Sequence, residues 1–252
     1  MTDKKPLVSV ITPSFNCEKS ISSTIESVIN QSFIDWEMII VDDCSTDGSV
    51  DVIESFMKKD SRIRLIKRLW NAGPAIARNV AIESAQGRYI AFLDSDDQWF
   101  ENKLEKQISF MQDQNIELSY TAYNKYDFSG KHLGVYKPKL KVNYSDMLKS
   151  NRIGCLTAIY DSEKLGKVYM PNISKRQDLG LWLRILKMVP FAYGMDDILA
   201  NYLAVQPNSV SSNKITAAKY QWRLYREVEK LPFKLSAKNF LSYAYLGYKK
   251  SK

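Results

Sequence analysis

Four short apolar runs in the first hundred residues each stop at a polar turn and give way to a helical pattern. That alternation limits the folds open to this chain more than any other feature. Leu7-Val8-Ser9-Val10-Ile11-Thr12 reads as a buried strand followed by a turn at Pro13-Ser14-Phe15-Asn16, after which Ile21, Ile25, Val28 and Ile29 recur at helical spacing. Trp36 to Val41 is a second strand ending in Asp42-Asp43, and Ser45-Thr46-Asp47 supplies N-cap chemistry for a helix carrying Val52, Ile53, Phe56 and Met57. Arg62 to Lys67 is a third strand. Pro74 to Gln86 is a helix with Pro in its first turn and Gly87 just past its end. Tyr89-Ile90-Ala91-Phe92-Leu93 is a fourth strand running into Asp94-Ser95-Asp96-Asp97, and Leu104, Ile108 and Met111 mark the next helix.

Such alternation implies an α/β fold with a mostly parallel sheet covered by helices on both faces. Ligands of such sheets lie beyond the carboxyl ends of the strands. The rule selects the turn Thr12 to Asn16, Asp42 and Asp43, and the cluster Asp94, Asp96 and Asp97 as one rim, most of it acidic. After residue 115 the periodicity weakens. It predicts antiparallel strands over Leu118–Tyr123 and Thr157–Asp161, a helix over Asp178–Lys187 and a closing strand near Ile198–Tyr202.

Clustered carboxylates repel each other unless a cation or a donor-rich ligand lies between them. Asp94 and Asp96 alternate across one residue, so both can face the same side of an extended segment. Hard oxygen ligands of this kind suit Mg²⁺ or Mn²⁺, which take one or two carboxylates plus substrate phosphates. The competing reading makes Asp94 to Asp97 the N-cap of a helix beginning near Phe100. Asp42 and Asp43 either cap the following helix or bind a uracil imide or ribose hydroxyls. Arg78, in Asn71-Ala72-Gly73-Pro74-Ala75-Ile76-Ala77-Arg78-Asn79, can pair with phosphate or bridge a rim aspartate, two compatible roles.

Composition excludes other chemistries. The single histidine, His132, lies in a turn-like stretch, so zinc sites rich in His and Ser-His nucleophile pairs are not indicated. Cys17, Cys44 and Cys155 lack CxxC spacing and suggest neither a disulfide framework nor a metal knuckle. Ten basic and two acidic side chains lie in residues 214–252, whereas 26 of each sign precede them, so the whole net charge of +8 belongs to the tail. A neutral body is not the pattern of a nucleic-acid surface. The tail also holds eight aromatic residues: Tyr220, Trp222, Tyr225, Phe233, Phe240, Tyr243, Tyr245 and Tyr248. It reads either as two helices packed on the body or as a peripheral anchor on anionic lipid. No apolar run reaches the ~18 residues of a membrane span, and the first residues lead into a strand rather than an apolar signal core. These features predict a cytoplasmic protein, peripheral on the cytoplasmic face of the inner membrane.

Val8 to Asn16, Val41-Asp42-Asp43-Cys44-Ser45-Thr46-Asp47-Gly48-Ser49, Asn71-x-Gly73 to Asn79, Gly87 to Asp97, and Gln177-Asp178 to Trp182-Leu183-Arg184 together resemble the family 2 glycosyltransferases with a GT-A fold. Within that family the chain looks similar to enzymes that build bacterial surface polysaccharides such as teichuronic acid, O-antigen and capsule. The resemblance covers roughly residues 6–213. It implies a catalytic domain over 1–213, with a nucleotide-sugar half over about 1–100 and an acceptor half over 101–213, followed by basic aromatic helices over 214–252. It also implies an inverting transfer from a nucleotide-sugar, UDP being favoured, to a glycan or polyprenyl-diphosphate-linked acceptor.

Residue by residue, the resemblance puts Pro13, Asp42, Asn71 and Arg78 at the nucleoside and diphosphate, with Phe15, Asp43 and Ser95 beside them. Asp94 falls near ribose and metal, Asp96 on the Mn²⁺ or Mg²⁺ ion, and Asp178 at the general base. Two departures stand out. Gln177 replaces a common Glu before the base, and Ala204 and Gln206 stand where relatives often have an Arg-x-His pair, so the resemblance does not carry over a third protein ligand to the metal or one diphosphate contact. Three rivals fit less well. A DxDx(T/V) phosphatase needs Thr or Val where Gln98 stands, and a sugar-nucleotide pyrophosphorylase needs a Gly-rich basic loop where Pro13-Ser14-Phe15-Asn16 stands. A nucleic-acid or membrane-binding protein without enzymatic activity leaves the acidic rim unexplained.

Overall fold

The computed structural model describes residues 5–127, 129–205 and 214–249. The first half alternates β1 (Val8–Ser14), α1 (Ile21–Ile29), β2 (Trp36–Asp42), α2 (Ser49–Met57), β3 (Ile63–Lys67), α3 (Pro74–Ser84) and β4 (Tyr89–Phe92). There follow β5 (Gln98–Trp99), α4 (Lys103–Asp113), β6 (Leu118–Asp127), β7 (His132–Tyr136), β8 (Lys141–Val142) and α5 (Tyr144–Lys149). Then come β9 (Ile159–Asp161), α6 (Ser162–Leu165), α7 (Gln177–Ile185), β10 (Ala192–Val205), α8 (Lys214–Arg223) and α9 (Phe233–Lys249).

The strands form one sheet in the order β3-β2-β1-β4-β9-β6-β10-β5, with β7 on β6 and β8 on β10. The β1 strand pairs in parallel with β2 and with β4, and β2 in parallel with β3. Chain order therefore reverses at β1, which opens a crevice between β1 and β4 at their carboxyl ends. In β2, Met38 and Ile40 enter one apolar cluster while Ile39 and Val41 enter the other; in β4, Ala91 and Ile90 divide the same way. Strands buried on both faces in this manner appear in sequence as unbroken apolar runs.

The second half of the sheet is mixed. Its β9 strand runs antiparallel to β4 and β6, while β10 runs parallel to β6 with shifts of register along its length. The expected antiparallel pair is present, and the closing strand is much longer than expected, reaching from Ala192 to Val205. The short strands β5, β7 and β8 had no counterpart in the sequence reading. Capping of a helix by Asp94 to Asp97 is not observed, because α4 begins at Lys103 behind Asn102. Instead the buried Asp97 carboxylate accepts the backbone N–H of Leu203 at 3.1 Å, tying the β4 loop to β10. His132 lies exposed at the start of β7, its ring 5.2 Å from that of Tyr126.

The C-terminal helices pack on the body. Between α8 and α9 a π-type turn, Leu224–Val228, carries Leu224 and Tyr225 fully buried into the cluster that holds Ile11, Phe92 and Trp182. The Tyr225 hydroxyl donates to the carbonyl of Leu148. Glu229 accepts from the Tyr144 hydroxyl and pairs with Lys187 at 2.7 Å. Trp222 meets Phe233 and Phe240 edge-on with centroids 5.7 and 5.6 Å apart. Of the helical repeat in this segment, Tyr225 is fully buried and Ala218 and Trp222 are partly buried.

Candidate active site

A cavity of about 650 Å³ opens at the carboxyl ends of β1 and β4. Pro13, Phe15, Asp43, Asn71, Arg78, Asp94, Ser95, Asp96 and Asp178 all line it. Asp42 does not. It is buried behind the wall, where Oδ2 accepts the Ser45 N–H at 2.9 Å and Oδ1 accepts the Ser45 hydroxyl at 2.5 Å and that of Ser14 at 3.3 Å. Its geometry is that of a turn-former after β2.

Asp43 reaches the cavity with its acceptor capacity largely used. Oδ1 accepts from Arg68 at 3.0 Å and from the Ala72 N–H at 3.1 Å, while Oδ2 accepts from Ala72 at 3.1 Å and from Gly73 at 2.7 Å. A carboxylate offers about four such positions in all. Gly73 supports this clasp through a left-handed backbone at φ 89°, which favours glycine. Asp43 thus holds the Asn71–Gly73 loop against the cavity and positions the start of α3.

From α3 the Arg78 side chain, 8% exposed, pairs with Asp94. Its Nε has no hydrogen-bond partner among the described residues. The bridge to a rim aspartate expected from the sequence is present. Burial, then the charge of Asp94, pushes Asp96 up to about 6. Burial also raises Asp97 well above the carboxylate range, with Asp96 and Asp94 adding to it. One guanidinium thus serves a cluster of three carboxylates.

Asp178 is the second residue of α7 and faces the same cavity from the opposite side. Its side chain is no cap, since none is formed there; instead Oδ2 accepts from Asn151 Nδ2 at 2.8 Å. The residue before the helix, Arg176, is left-handed at φ 68°, ψ 17°. It donates to the Tyr243 hydroxyl of α9 at 2.7 Å, so the C-terminal helix braces the segment that carries Asp178. Asn151, Arg176 and Tyr202 were not singled out from sequence. Nothing local marks them, because their partners lie far along the chain.

Among the described residues no group of three His, Cys, Asp or Glu side chains stands ready as a metal site. Asp94 and Asp96 nevertheless fit a divalent cation. Burial, and after it the charge of Asp94, pushes Asp96 toward protonation; a cation between the two carboxylates offsets both, and Mg²⁺ or Mn²⁺ needs only one or two carboxylates when substrate phosphates complete its shell. Gln206, at the place of a third ligand, lies outside the described residues, as does the Ala204 side chain.

A parallel sheet joined to a mixed half, with acidic groups at the crevice, is the architecture of the GT-A glycosyltransferases. S. aureus TarS 1-349 in complex with UDP-GlcNAc superposes with a TM-score of 0.72 at 20% identity, over 96% of this chain and 72% of that one. The mannosyltransferase PcManGT from Pyrobaculum calidifontis, in complex with GDP-Man and Mn²⁺, superposes with a TM-score of 0.68 at 18% identity, over 97% and 70%. Residues 9–161 match Glycosyl transferase family 2, and the chain belongs to that family as a glycosyltransferase. TuaG of Bacillus subtilis (strain 168), provisionally assigned as a teichuronic acid biosynthesis glycosyltransferase, is 49% identical over 99% of both chains. The Escherichia coli UDP-Glc:alpha-D-GlcNAc-diphosphoundecaprenol beta-1,3-glucosyltransferase WfgD is 37% identical over 97% of this chain and 94% of its own.

Proposed function

We propose that this glycosyltransferase moves a sugar from a UDP-sugar to a hydroxyl of a glycan linked to a polyprenyl diphosphate, in the synthesis of a bacterial surface polysaccharide. The observation that carries the reading is the meeting of Asp94, Asp96 and Asp178 in one cavity at the crevice between β1 and β4. WfgD, matched over nearly its whole length, is named for such a donor and acceptor.

In this reading Phe15, Asn71 and Ser95 line the donor side, and the clasp of Asp43 holds the loop that shapes it. Asp94 and Asp96 hold Mn²⁺ or Mg²⁺, which when bound neutralises charge on the departing diphosphate. Arg78 keeps Asp94 turned toward the cavity. Asp178, held by Asn151, accepts the proton of the acceptor hydroxyl. The acceptor oxygen then bonds to the anomeric carbon as the bond from that carbon to the diphosphate oxygen breaks, and UDP leaves. A single displacement inverts the anomeric centre, and a positioned base contributes about 10²–10⁴-fold to the rate.

No helix among the described residues is long and apolar enough to cross a membrane. Along α9, Lys234, Lys238, Leu241, Tyr245, Tyr248 and Lys249 recur at helical spacing and are all exposed, opposite the buried Ser236 and Asn239. Lysines interleaved with aromatic and apolar side chains suit an anionic lipid surface, so the enzyme works as a peripheral protein beside its lipid-linked acceptor.

The test is turnover of UDP-glucose and UDP-GlcNAc by the full chain with a GlcNAc diphosphate alkyl ester, with Mn²⁺ or with chelator. Metal-dependent release of UDP together with an inverted glycoside product is expected. UDP release that no acceptor accelerates, or a product with retained configuration, would refute the reading.

A further inference from the structure

A second cavity of about 450 Å³ adjoins the first and shares Asp94, Arg176, Asp178 and Tyr202 with it. Asp178 therefore faces both cavities, as a base must when donor and acceptor approach it from two sides. The second cavity differs from the first in chemistry. Tyr123 and Tyr136 stack with centroids 4.9 Å apart at 22°, and Tyr202 meets Tyr123 edge-on at 5.8 Å. Gly154 permits this arrangement, because a Cβ there would stand 2.8 Å from the Tyr123 ring. The Tyr136 hydroxyl donates to the Arg152 carbonyl at 2.9 Å, fixing the backbone that carries the Arg152 side chain.

Lys125 and Arg152 also line this cavity. Neither ammonium nor guanidinium has an ion pair or a hydrogen bond among the described residues, whereas Arg78 pairs with Asp94 and Arg176 donates to the Tyr243 hydroxyl. The lining thus holds both signs, with Asp94, Asp97 and Asp178 as acidic members and Lys125, Arg152 and the Tyr243-bound Arg176 as basic ones. A pyranose bearing an anomeric phosphate has matching chemistry: hydroxyls for the carboxylates, an anion for the cations, and an apolar face for the aromatic walls.

Resting on the acceptor class given under Proposed function, we propose that this second cavity is the acceptor site and that Arg152 and Lys125 bind the diphosphate of the sugar-diphosphate acceptor while the tyrosines hold its ring. The two cations select anionic acceptors over neutral glycosides of the same sugar and hold the acceptor hydroxyl at Asp178. Charge-assisted contacts to phosphate are the strong kind of hydrogen bond, so loss of either cation weakens acceptor binding about tenfold or more.

The experiment titrates GlcNAc diphosphate alkyl ester, the neutral alkyl GlcNAc glycoside and an alkyl glucuronide into the full chain held with UDP and Mn²⁺, by calorimetry, and repeats this with Arg152→Gln and Lys125→Gln. Melting temperatures check that each variant is folded, and Arg152→Lys and Lys125→Arg test whether charge alone restores affinity. The diphosphate ester should bind the parent best, lose about tenfold or more in each Gln variant, and recover in the charge-preserving ones. Equal affinity for neutral and diphosphate probes, a preference for the glucuronide, or unchanged affinity in both Gln variants overturns the assignment. Because calorimetry needs no turnover, tight binding of the diphosphate ester without transfer would discredit the proposed reaction and leave the site standing.

Discussion

The side-chain amide of Asn151 donates to Asp178 Oδ2 at 2.8 Å across 27 residues of sequence. That bond turns one carboxylate oxygen toward Asn151, and in the proposed reaction the other accepts the proton of the incoming hydroxyl. Asp178→Asn preserves size but removes the proton acceptor, so transfer should fall by about 10²–10⁴-fold while UDP binding persists. Asn151→Ala should lower kcat by a smaller factor with the donor KM unchanged, since it frees the base without deleting it. Transfer by Asp178→Asn within a few-fold of the parent would remove Asp178 from the chemistry.

Asp96 is half-buried and pushed toward protonation by burial and by Asp94. Asp96→Ala should abolish the Mn²⁺-dependent part of UDP binding. Measured by the rise in melting temperature with UDP, the parent should lose most of its stabilisation on adding chelator. The variant should show the chelated value in both conditions. An unchanged metal response would assign the ion elsewhere.

The pair of Arg78 with Asp94 is the charge compensation closest to three carboxylates. Arg78→Leu leaves their repulsion unopposed inside the protein. A loss of about 3 kcal/mol is expected, and each kcal/mol lowers Tm by about 2–4 °C in a chain of this size. Adding Mn²⁺ should narrow the gap between variant and parent, because the ion supplies positive charge at the same carboxylates. A variant as stable as the parent would mean that the cluster is already neutralised by protonation.

The strands that build the crevice were legible because each is buried on both faces and so reads as an apolar run. The rim followed from them by topology. Sequence did not reveal which of two neighbouring carboxylates faces the cavity: Asp42 and Asp43 look alike, yet Ser14 and Ser45 draw Asp42 inward while the Ala72 and Gly73 amides draw Asp43 to the wall. The strands β5 and β8, two residues each, depend entirely on β10 for pairing and leave no periodicity to read. The brace from Tyr243 to Arg176 spans 67 residues. It explains why the tail, separable in composition, is not separable in structure.

Lys103 gives a pH prediction away from the site. It is fully buried, its Nζ donates to Gln107 Oε1 at 2.9 Å, and burial holds its pKa well below the usual lysine value. Between that lowered value and about 10.4 the unfolded chain binds a proton that the folded chain does not. Stability contributed by this site therefore rises with pH, by up to about 1.4 kcal/mol per unit. Lys103→Met removes this dependence. Urea midpoints from pH 6.5 to 9 should converge less steeply on alkaline stability in the variant, and parallel curves for the two proteins would contradict the assignment.

Membrane docking is best tested on the surface of α9, because a chain ending at residue 213 would strip Leu224 and Tyr225 from the core. Leu241 and Tyr245 are 70% and 66% exposed, so Leu241→Ser with Tyr245→Ser should leave the fold intact. Lys234→Glu with Lys238→Glu reverses charge on the same face. Each lysine near an anionic surface contributes about 1 kcal/mol, so the charge-reversed protein should co-sediment poorly with anionic vesicles. The parent should also be released as salt shortens the Debye length. The apolar variant should bind weakly even at low salt, since ring and aliphatic burial at the headgroup level is then lost. Two variants that sediment like the parent would show that α9 faces water, and the basic charge of the tail would then serve solubility alone.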